Sequence, residues 1–294
     1  MKLLVIGQTV EDHYIKDGEE VVAPGGIYYA AAALAQLKDA NDEIMLCTSI
    51  EENNYQLFAD VYERYDKKYI SRVDAIPKVW LTVDPHKERS ERYVNITAEL
   101  KTGFSCSDYD GVLVNMITGF DISIDQFQKI REELTGVLYL DVHTLSRGMD
   151  FENNRKFRII PEFEKWARCA DIIQVNEHEL FCLSEFKTEM EIVSWLLDCN
   201  VRVVIITLAE RGAKYFYRDR GEIASVYHSA LKVEVNNKIG CGDVFGSAFF
   251  FNHLKHKDLL KALVFANTAA AFITSYNDTK QINQLKDDIL RQSY

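Results

Sequence analysis

The sequence lacks the features that mark membrane proteins and domains joined by flexible linkers. Only four of its 294 residues are proline, and no stretch combines proline, glycine and serine. No apolar run approaches the roughly 18 residues that a membrane-spanning helix needs. The apolar stretch at the N-terminus is too short for a signal peptide and predicts a first strand instead. We therefore expect one folded unit with no membrane contact.

Basic residues are in the minority. The chain carries 34 Lys and Arg against 45 Asp and Glu, which gives a formal net charge of −11. Such a field repels polyanions, so neither nucleic acid nor an anionic membrane is expected as a partner. A local basic patch could still bind a single phosphate group.

Paired cysteines are also absent. The six cysteines are scattered and form no C-x-x-C pair: Cys47, Cys106, Cys169, Cys182, Cys199 and Cys241. A structural zinc site needs close ligand pairs, and a disulfide framework is typical of smaller secreted chains. We interpret the cysteines as buried thiols of a protein in the reducing cytoplasm.

Short apolar runs alternate with helical segments through most of the chain. The predicted strands lie at 3–7, 43–50, 111–116, 137–142, 171–175 and 201–208. The predicted helices lie at 26–37, 55–64, 124–134, 189–197, 244–255, 258–275 and 282–292. This order predicts an α/β fold, with a mostly parallel central sheet and helices on both faces.

Two regions depart from that alternation. Residues 78–98 alternate apolar and polar side chains around a charged turn, which predicts an antiparallel hairpin. Residues 213–228 predict a second hairpin that turns at 219–221. We expect a single domain over 1–294 with a small β lid inserted at about 78–98. An exposed hairpin face can pair with a second copy, so a homodimer is compatible with the sequence.

Two glycines and a carboxylate precede the helix predicted at 244–255. Gly240, Cys241 and Gly242 carry no long side chain, and Asp243 follows them. The first N–H groups of a helix have no partners within the helix, and that end of the dipole is positive. Glycines allow close approach of the backbone, so the turn could cradle a phosphate while Asp243 accepts a proton from a hydroxyl. The alternative is a plain helix cap.

The turn resembles the G-A-G-D signature of the ribokinase-like (PfkB) carbohydrate kinase family. Four further motifs of that family occur in the same order along the chain. They are G-x-x-x-x-D at 7–12, the glycine pair Gly25-Gly26, N-x-x-E at 176–179 and a T-L-G-x-x-G-like turn at 207–212. The resemblance covers nearly the whole chain, and it implies an ATP-dependent phosphotransferase that acts on an alcohol group of a sugar or polyol.

The family resemblance also implies roles for particular residues. The catalytic group would comprise Asp243 as the base, with the amides of Gly240, Cys241 and Gly242 as an anion hole. The substrate would be bound by Asp12, Gly25 and Gly26, the nucleotide by Asn176, Thr207, Gly212 and Asn267, and magnesium by Glu179. The implied cofactors are ATP and Mg²⁺, with a monovalent cation as an option.

These residues also have simpler interpretations, and for the turn at 207–212 it is an ordinary β-turn. Asp12 could be a solvated turn acid, and Gly25-Gly26 a plain turn after a proline. Asn176 and Glu179 could cap a helix, and Asn267 could be an ordinary helical asparagine whose hydrogen bonds are satisfied.

Five positions depart from the family pattern. They are Ala30 in place of asparagine, Ala209 in place of glycine, Asn237 in place of aspartate, Lys238 in place of a small hydroxyl residue and Cys241 in place of alanine. None removes the base or the cradle glycines. Ala30 weakens any assignment to ribose or fructose, and the pair Tyr28-Tyr29 resembles a branch that includes inositol-kinase-like sequences.

Three kinds of function remain to be compared. The first is a sugar or polyol kinase, which includes nucleoside and inositol kinases of the same fold. The second is a non-catalytic sensor that binds a nucleotide or sugar. The third, an NAD-dependent dehydrogenase, requires G-x-G-x-x-G after the first strand, whereas VIGQTVED contains a single glycine.

Overall fold

The computed structural model describes residues 1–16, 18–82, 90–96 and 99–292. Fifteen strands lie in these ranges. They are β1 (Lys2–Ile6), β2 (Thr9–Lys16), β3 (Glu19–Gly26), β4 (Glu43–Glu51), β5 (Ile70–Val73), β6 (Lys78–Thr82), β7 (Ser90–Val94), β8 (Gly111–Asn115), β9 (Val137–Asp141), β10 (Arg147–Met149), β11 (Arg155–Phe157), β12 (Ile172–Asn176), β13 (Val203–Thr207), β14 (Ala213–Asp219) and β15 (Glu222–His228).

Eight α-helices accompany the strands. They are α1 (Tyr28–Leu37), α2 (Ala59–Tyr62), α3 (Ile124–Glu133), α4 (Phe163–Ala167), α5 (Glu189–Asp198), α6 (Cys241–His256), α7 (Leu259–Ser275) and α8 (Leu285–Gln292). Capping boxes begin α3 and α5, where the hydroxyls of Ser123 and Thr188 each accept a backbone N–H and their own backbone N–H groups donate to the side chains of Gln126 and Glu191. The predicted helix at 55–64 is shorter than expected, because Glu52–Leu57 is a 3-10 helix. Among the described residues, no helix has both the length and the apolar character to cross a membrane.

The main sheet has nine strands in the order β15-β14-β13-β12-β9-β8-β1-β4-β5. The strands from β13 through β5 pair in parallel, whereas β14 and β15 add an antiparallel edge. One apolar core packs α1, α6, α7 and α8 on one face, and a second packs α3, α4 and α5 on the other. The predicted fold class, a mostly parallel sheet with helices on both faces, is confirmed. The carboxyl ends of the parallel strands therefore meet at one edge, where such sheets bind ligands.

A second sheet lies over that edge and is here called the lid. Its four strands have the order β3-β2-β6-β7. The hairpin predicted within 78–98 is present as β6 and β7, while 83–89 and 97–98 lie outside the described residues. Strands β2 and β3 form the other half of the lid, and the sequence analysis did not predict them. The lid thus continues from β1 almost directly, with two residues, Gly7 and Gln8, between them.

A buried carboxylate ties the start of the lid to the main sheet. Asp121 is fully buried, and its two oxygens accept hydrogen bonds from the amides of Gln8, Thr118 and Gly119 and from the Thr118 hydroxyl. The Gln8 amide belongs to the β1–β2 junction, and the other donors follow β8. Asp121 therefore fixes two loops at the carboxyl edge of the sheet.

We expect Asp121→Ala to lower the free energy of unfolding by at least about 3 kcal/mol, because several buried donors lose their acceptor at once. Urea denaturation at neutral pH measures the change. Asp125→Ala is the matched control, since Asp125 is exposed in the first turn of α3, and it should cost less than about 1 kcal/mol. Equal losses of unfolding free energy in the two variants would show that the Asp121 hydrogen bonds do not stabilise the two loops.

Candidate active site

A pocket of about 350 Å³, counting its open mouth, lies between the lid and the carboxyl edge of the main sheet. It is lined by Val10, Asp12, Gly26, Tyr29, Val79, Leu81, Tyr93, Ile117, His143, Ile239, Gly240 and Asp243. Two carboxylates from opposite ends of the chain, Asp12 and Asp243, thus share one pocket. Lid side chains supply most of its apolar wall.

The glycine turn before α6 is shaped by an aromatic ring. Gly240 has a φ of +78°, and a Cβ placed there would lie 2.2 Å from Cγ of Tyr29. A side chain at this position would therefore be strained and would also clash. A Cβ on Gly242 would meet nothing within 4 Å, so the space beside that amide is open. Cys241 stands between them, and its thiol donates to the carbonyl of Lys238 at 3.2 Å.

Asp243 lies in the first turn of α6 and is 8% exposed. The amide nitrogen of Asn115, at the end of β8, donates to Asp243 Oδ1 at 2.8 Å. His143 Nε2 lies 4.0 Å from the same oxygen. The carboxylate is thus held in one orientation at the pocket wall by the positive end of a helix and by a side-chain donor, as a general base would require.

Asp12 lies on β2 and not in a solvated turn. It is 4% exposed, and a Cβ on Gly25 would lie 2.1 Å from its Oδ1. Gly25 therefore leaves the room that the carboxylate occupies. Gly26 has a φ of +64°, and a Cβ there would lie 2.4 Å from the Gln8 carbonyl oxygen. Both glycines are required by close contacts, so the interpretation as a plain turn is wrong.

A buried polar network lies behind the glycine turn. The side-chain amide of Gln174 donates to Asp141 Oδ2 and to the carbonyl oxygen of Gly242, each at 3.2 Å. The hydroxyl of Tyr139 donates to Gln174 Oε1 at 2.6 Å. The Tyr139 hydroxyl therefore fixes the Gln174 side chain, which in turn holds the Gly242 carbonyl of the glycine turn. The sequence analysis missed this residue, although a glutamine inside the apolar strand IIQVN is an available signal.

The carboxylates near this network affect one another. Burial raises the pKa of Asp141 well above its usual range, and the negative charges of Asp243 and Glu179 raise it further. A cation would relieve this repulsion. No group of three or more His, Cys, Asp or Glu side chains in the described ranges could hold a metal by itself. Magnesium keeps several water ligands and uses few protein oxygens, so the donor set fits an ion held partly through water.

The N-x-x-E motif forms a reciprocal cap. Asn176 Oδ1 accepts the amide of Glu179 at 2.8 Å, and Glu179 Oε2 accepts the amide of Asn176 at 2.8 Å. The capping interpretation thus describes the local geometry. The cap also fixes the Glu179 carboxylate close enough to Asp141 to influence its ionisation.

The residues expected on the nucleotide side do not line the pocket. Thr207 is the register partner of Asn176, so the two lie side by side where β12 and β13 end. Gly212 has a φ of +105°, and a Cβ there would lie 2.2 Å from the carbonyl oxygen of His228. The Asn267 amide donates to that same carbonyl at 3.1 Å, so it ties α7 to β15 as an ordinary satisfied asparagine would.

The structure describes the surroundings of three departures from the family pattern. Ala209 adopts a φ of +52°, which a glycine would accept without strain. Asn237 Oδ1 accepts the amide of Ile239 at 2.9 Å and so shapes the approach to the glycine turn. Ala30 is fully buried in α1, one residue after the pocket-lining Tyr29.

Comparison with known proteins shows which proteins this chain is similar to. Residues 151–285 match the model of the pfkB family carbohydrate kinases. Fructokinase-1 of Zea mays is 30% identical over 117 residues, which is 36% of this chain and 34% of the maize protein. The chain thus spans about a third of that relative's length.

Two solved structures resemble nearly the whole chain. Ribokinase of Arabidopsis thaliana, complexed with ribose and ATP, is 20% identical with a TM-score of 0.77, and the match covers 98% of this chain and 97% of that one. A pyrophosphate-dependent kinase in the ribokinase family, complexed with a pyrophosphate analog and myo-inositol, is 15% identical with a TM-score of 0.76, covering 97% and 99%. These likenesses show the ribokinase fold.

The two cradle glycines should respond differently to the same substitution. Gly240→Ala adds backbone strain and a clash with Tyr29, so we expect it to lower the free energy of unfolding by about 3 kcal/mol. Gly242→Ala enters open space within a helix and should leave that free energy unchanged or raise it by about 0.5–1 kcal/mol. Thermal and urea unfolding of both variants would test the described turn, and a stable Gly240→Ala protein would contradict it.

Proposed function

We propose that this chain is a carbohydrate kinase of the pfkB family, whose model matches residues 151–285, and that it transfers the terminal phosphoryl group of ATP to an alcohol group of a sugar or polyol. The observation that carries the proposal is the shared pocket of Asp12 and Asp243 next to the open backbone at Gly242. One carboxylate can hold the acceptor while the other activates it, and the cradle lies beside the activated hydroxyl.

The acceptor binds between the two carboxylates. Asp12 accepts hydrogen bonds from two neighbouring hydroxyls of the polyol. Asp243 orients the attacking hydroxyl and takes its proton. A bond forms between the hydroxyl oxygen and the γ-phosphorus, the bond from that phosphorus to the bridging oxygen breaks, and ADP leaves.

The backbone amides of Gly240, Cys241 and Gly242 stabilise the charge on the transferring phosphoryl group. A magnesium ion near Glu179 would neutralise charge on the phosphate oxygens. Asn176, Thr207, Gly212 and Asn267 bind or support the nucleotide along the ends of β12, β13 and β15. The lid side chains Val79, Leu81 and Tyr93 exclude water from the acceptor.

A cyclitol acceptor is the second candidate. Tyr29 lines the pocket, whereas Ala30, at the place of the asparagine that touches sugars in many family members, is buried. The neighbour with bound myo-inositol has the same fold along nearly the whole chain, and its donor is pyrophosphate. The acceptor and donor therefore have to be tested together.

The cellular compartment and the oligomeric state of the protein are also part of the proposal. None of the six cysteines, all of which lie in the described ranges, forms a disulfide, and this supports a reducing compartment such as the cytoplasm. The expectation of buried thiols is met by Cys47, Cys106, Cys182 and Cys199, whereas Cys169 and Cys241 are partly exposed. The homodimer stays a prediction.

The proposal is tested by product release from magnesium-ATP and magnesium-pyrophosphate, each with pentoses, hexoses, sugar phosphates, nucleosides and inositols. Turnover with one acceptor would identify the substrate. Nucleotide binding without turnover of any acceptor would favour the non-catalytic sensor instead.

Asp243→Asn should lower kcat by roughly 10²–10⁴-fold, because the hydroxyl loses its base while the amide keeps an oxygen for the bond from Asn115. Asp125→Asn is the matched control, since it removes an exposed acid from the first turn of another helix. Steady-state rates with the identified acceptor measure the effect. Activity of Asp243→Asn within tenfold of the wild type would exclude Asp243 as the base.

A further inference from the structure

A buried arginine behind the acceptor pocket lacks part of its hydrogen bonding. Arg155 lies on β11 and is 5% exposed. Its Nη2 donates to the carbonyl oxygens of Thr118 and Thr144, each at 2.9 Å. Its Nε and Nη1 are buried and have no hydrogen-bond partner in the described part of the chain. Each buried donor left without an acceptor costs about 1–3 kcal/mol, so the arrangement requires an explanation.

The position of Arg155 relates it to the pocket. Its guanidinium carbon lies 5.5 Å from the ring centroid of Tyr93, which lines the pocket, and 5.4 Å from that of Phe120. The two carbonyls that hold it belong to Thr118 and Thr144. Each of these residues directly follows a residue of the pocket wall, Ile117 or His143. The guanidinium is therefore one side chain behind the wall on the Tyr93 side.

The charges around Arg155 favour an added anion. Burial lowers the pKa of Arg155, and the nearby Arg147 and Arg158 lower it further, while Glu91 and Tyr93 act in the opposite direction. A buried guanidinium among like charges is stabilised by a carboxylate or phosphate that accepts its N–H groups.

We propose that Arg155 forms an anion subsite at the Tyr93 end of the acceptor pocket, and that the acceptor carries an acidic group, a carboxylate or a phosphate monoester, besides the hydroxyl that is phosphorylated. The inference rests on the proposed function. Movement of the Tyr93 side chain, which lies between the guanidinium and the pocket, lets Nε–H and Nη1–H reach the acidic group. Arg155 then determines acceptor specificity and takes no part in the chemical step.

The experiment compares matched acceptors. Each set contains a neutral sugar, its sugar acid and its monophosphate, for example glucose, gluconate and glucose 6-phosphate, with further sets built on a pentose, a ketohexose and an inositol. We expect the wild type to prefer an acidic member by at least tenfold in kcat/KM. Arg155→Met should lower kcat/KM for that acceptor by about 10–100-fold more than for the neutral member of the same set. Arg155→Lys should recover part of the loss because it keeps the charge.

Lys156→Met is the control, since Lys156 is exposed on the same strand, β11, and lies outside the pocket. It should leave the preference between acidic and neutral acceptors unchanged. Equal losses on acidic and neutral acceptors in Arg155→Met would show that Arg155 only holds the Thr118 and Thr144 loops, and would overturn the proposal. A wild type that prefers neutral acceptors would overturn it as well. Preference for the sugar acid or for the sugar phosphate identifies which acidic group binds.

Thermal unfolding with the same compounds gives a readout without turnover. An anion subsite predicts that gluconate or glucose 6-phosphate raises the Tm of the wild type more than glucose does, and that the difference is lost in Arg155→Met. If that variant does not fold, the wild type and Arg155→Lys carry the comparison, and equal Tm shifts with acidic and neutral compounds would overturn the proposal. Selective stabilisation by acidic compounds without any phosphoryl transfer would support the subsite and reject the kinase function.

Discussion

The contact between the ring of Tyr29 and the backbone of Gly240 positions the rest of the candidate site. Tyr29 comes from α1, and Gly240 ends the turn before α6, so this contact sets where α6 begins relative to α1. The start of α6 in turn places Asp243 next to Asn115 at the end of β8. A run of four buried alanines, Ala30 to Ala33, lets the two helices pack closely behind the contact. The site therefore depends on glycine at position 240, because no side-chain carbon fits between the backbone and the Tyr29 ring.

The lid likewise depends on a glycine, Gly25. Asp12 can turn its carboxylate towards the pocket because Gly25, on the neighbouring strand, leaves the space open. On the opposite face of β2, Glu11 accepts a hydrogen bond from Asn54 at 2.9 Å and pairs with Lys78 at 2.8 Å. Strand β2 thus carries a buried acid on each face. Asp12 occupies the space beside Gly25, and Glu11 is bound by Asn54 and Lys78. Since Asp121 anchors the junction before β2, the carboxylate of Asp12 keeps a fixed relation to the main sheet.

The sequence predicted the parts of the structure that follow from local pattern. Apolar runs and helical periodicity are sufficient for the parallel strands, because those strands are buried on both faces. The hairpin β2–β3 was missed because its buried positions include acids, whose burial depends on distant partners such as Lys78 and Asn54. Gln174 and Asn115 were missed for a related reason. Each is a single polar residue at an apolar strand, and its role exists only once α6 packs against the sheet.

The charge distribution along the pocket gives the acceptor a direction. Asp12 and Asp243 both line the pocket, and burial together with the charges of Asp243 and Glu179 raises the pKa of Asp141 behind it. An acidic acceptor is repelled by the two lining carboxylates, so its own charge has to lie away from them. Arg155, beyond Tyr93, is a buried cation that can balance that charge. With the acid group directed towards Arg155, a hydroxyl at the other end of the same molecule is left for Asp243. Electrostatics alone would then select both the class of acceptor and its orientation.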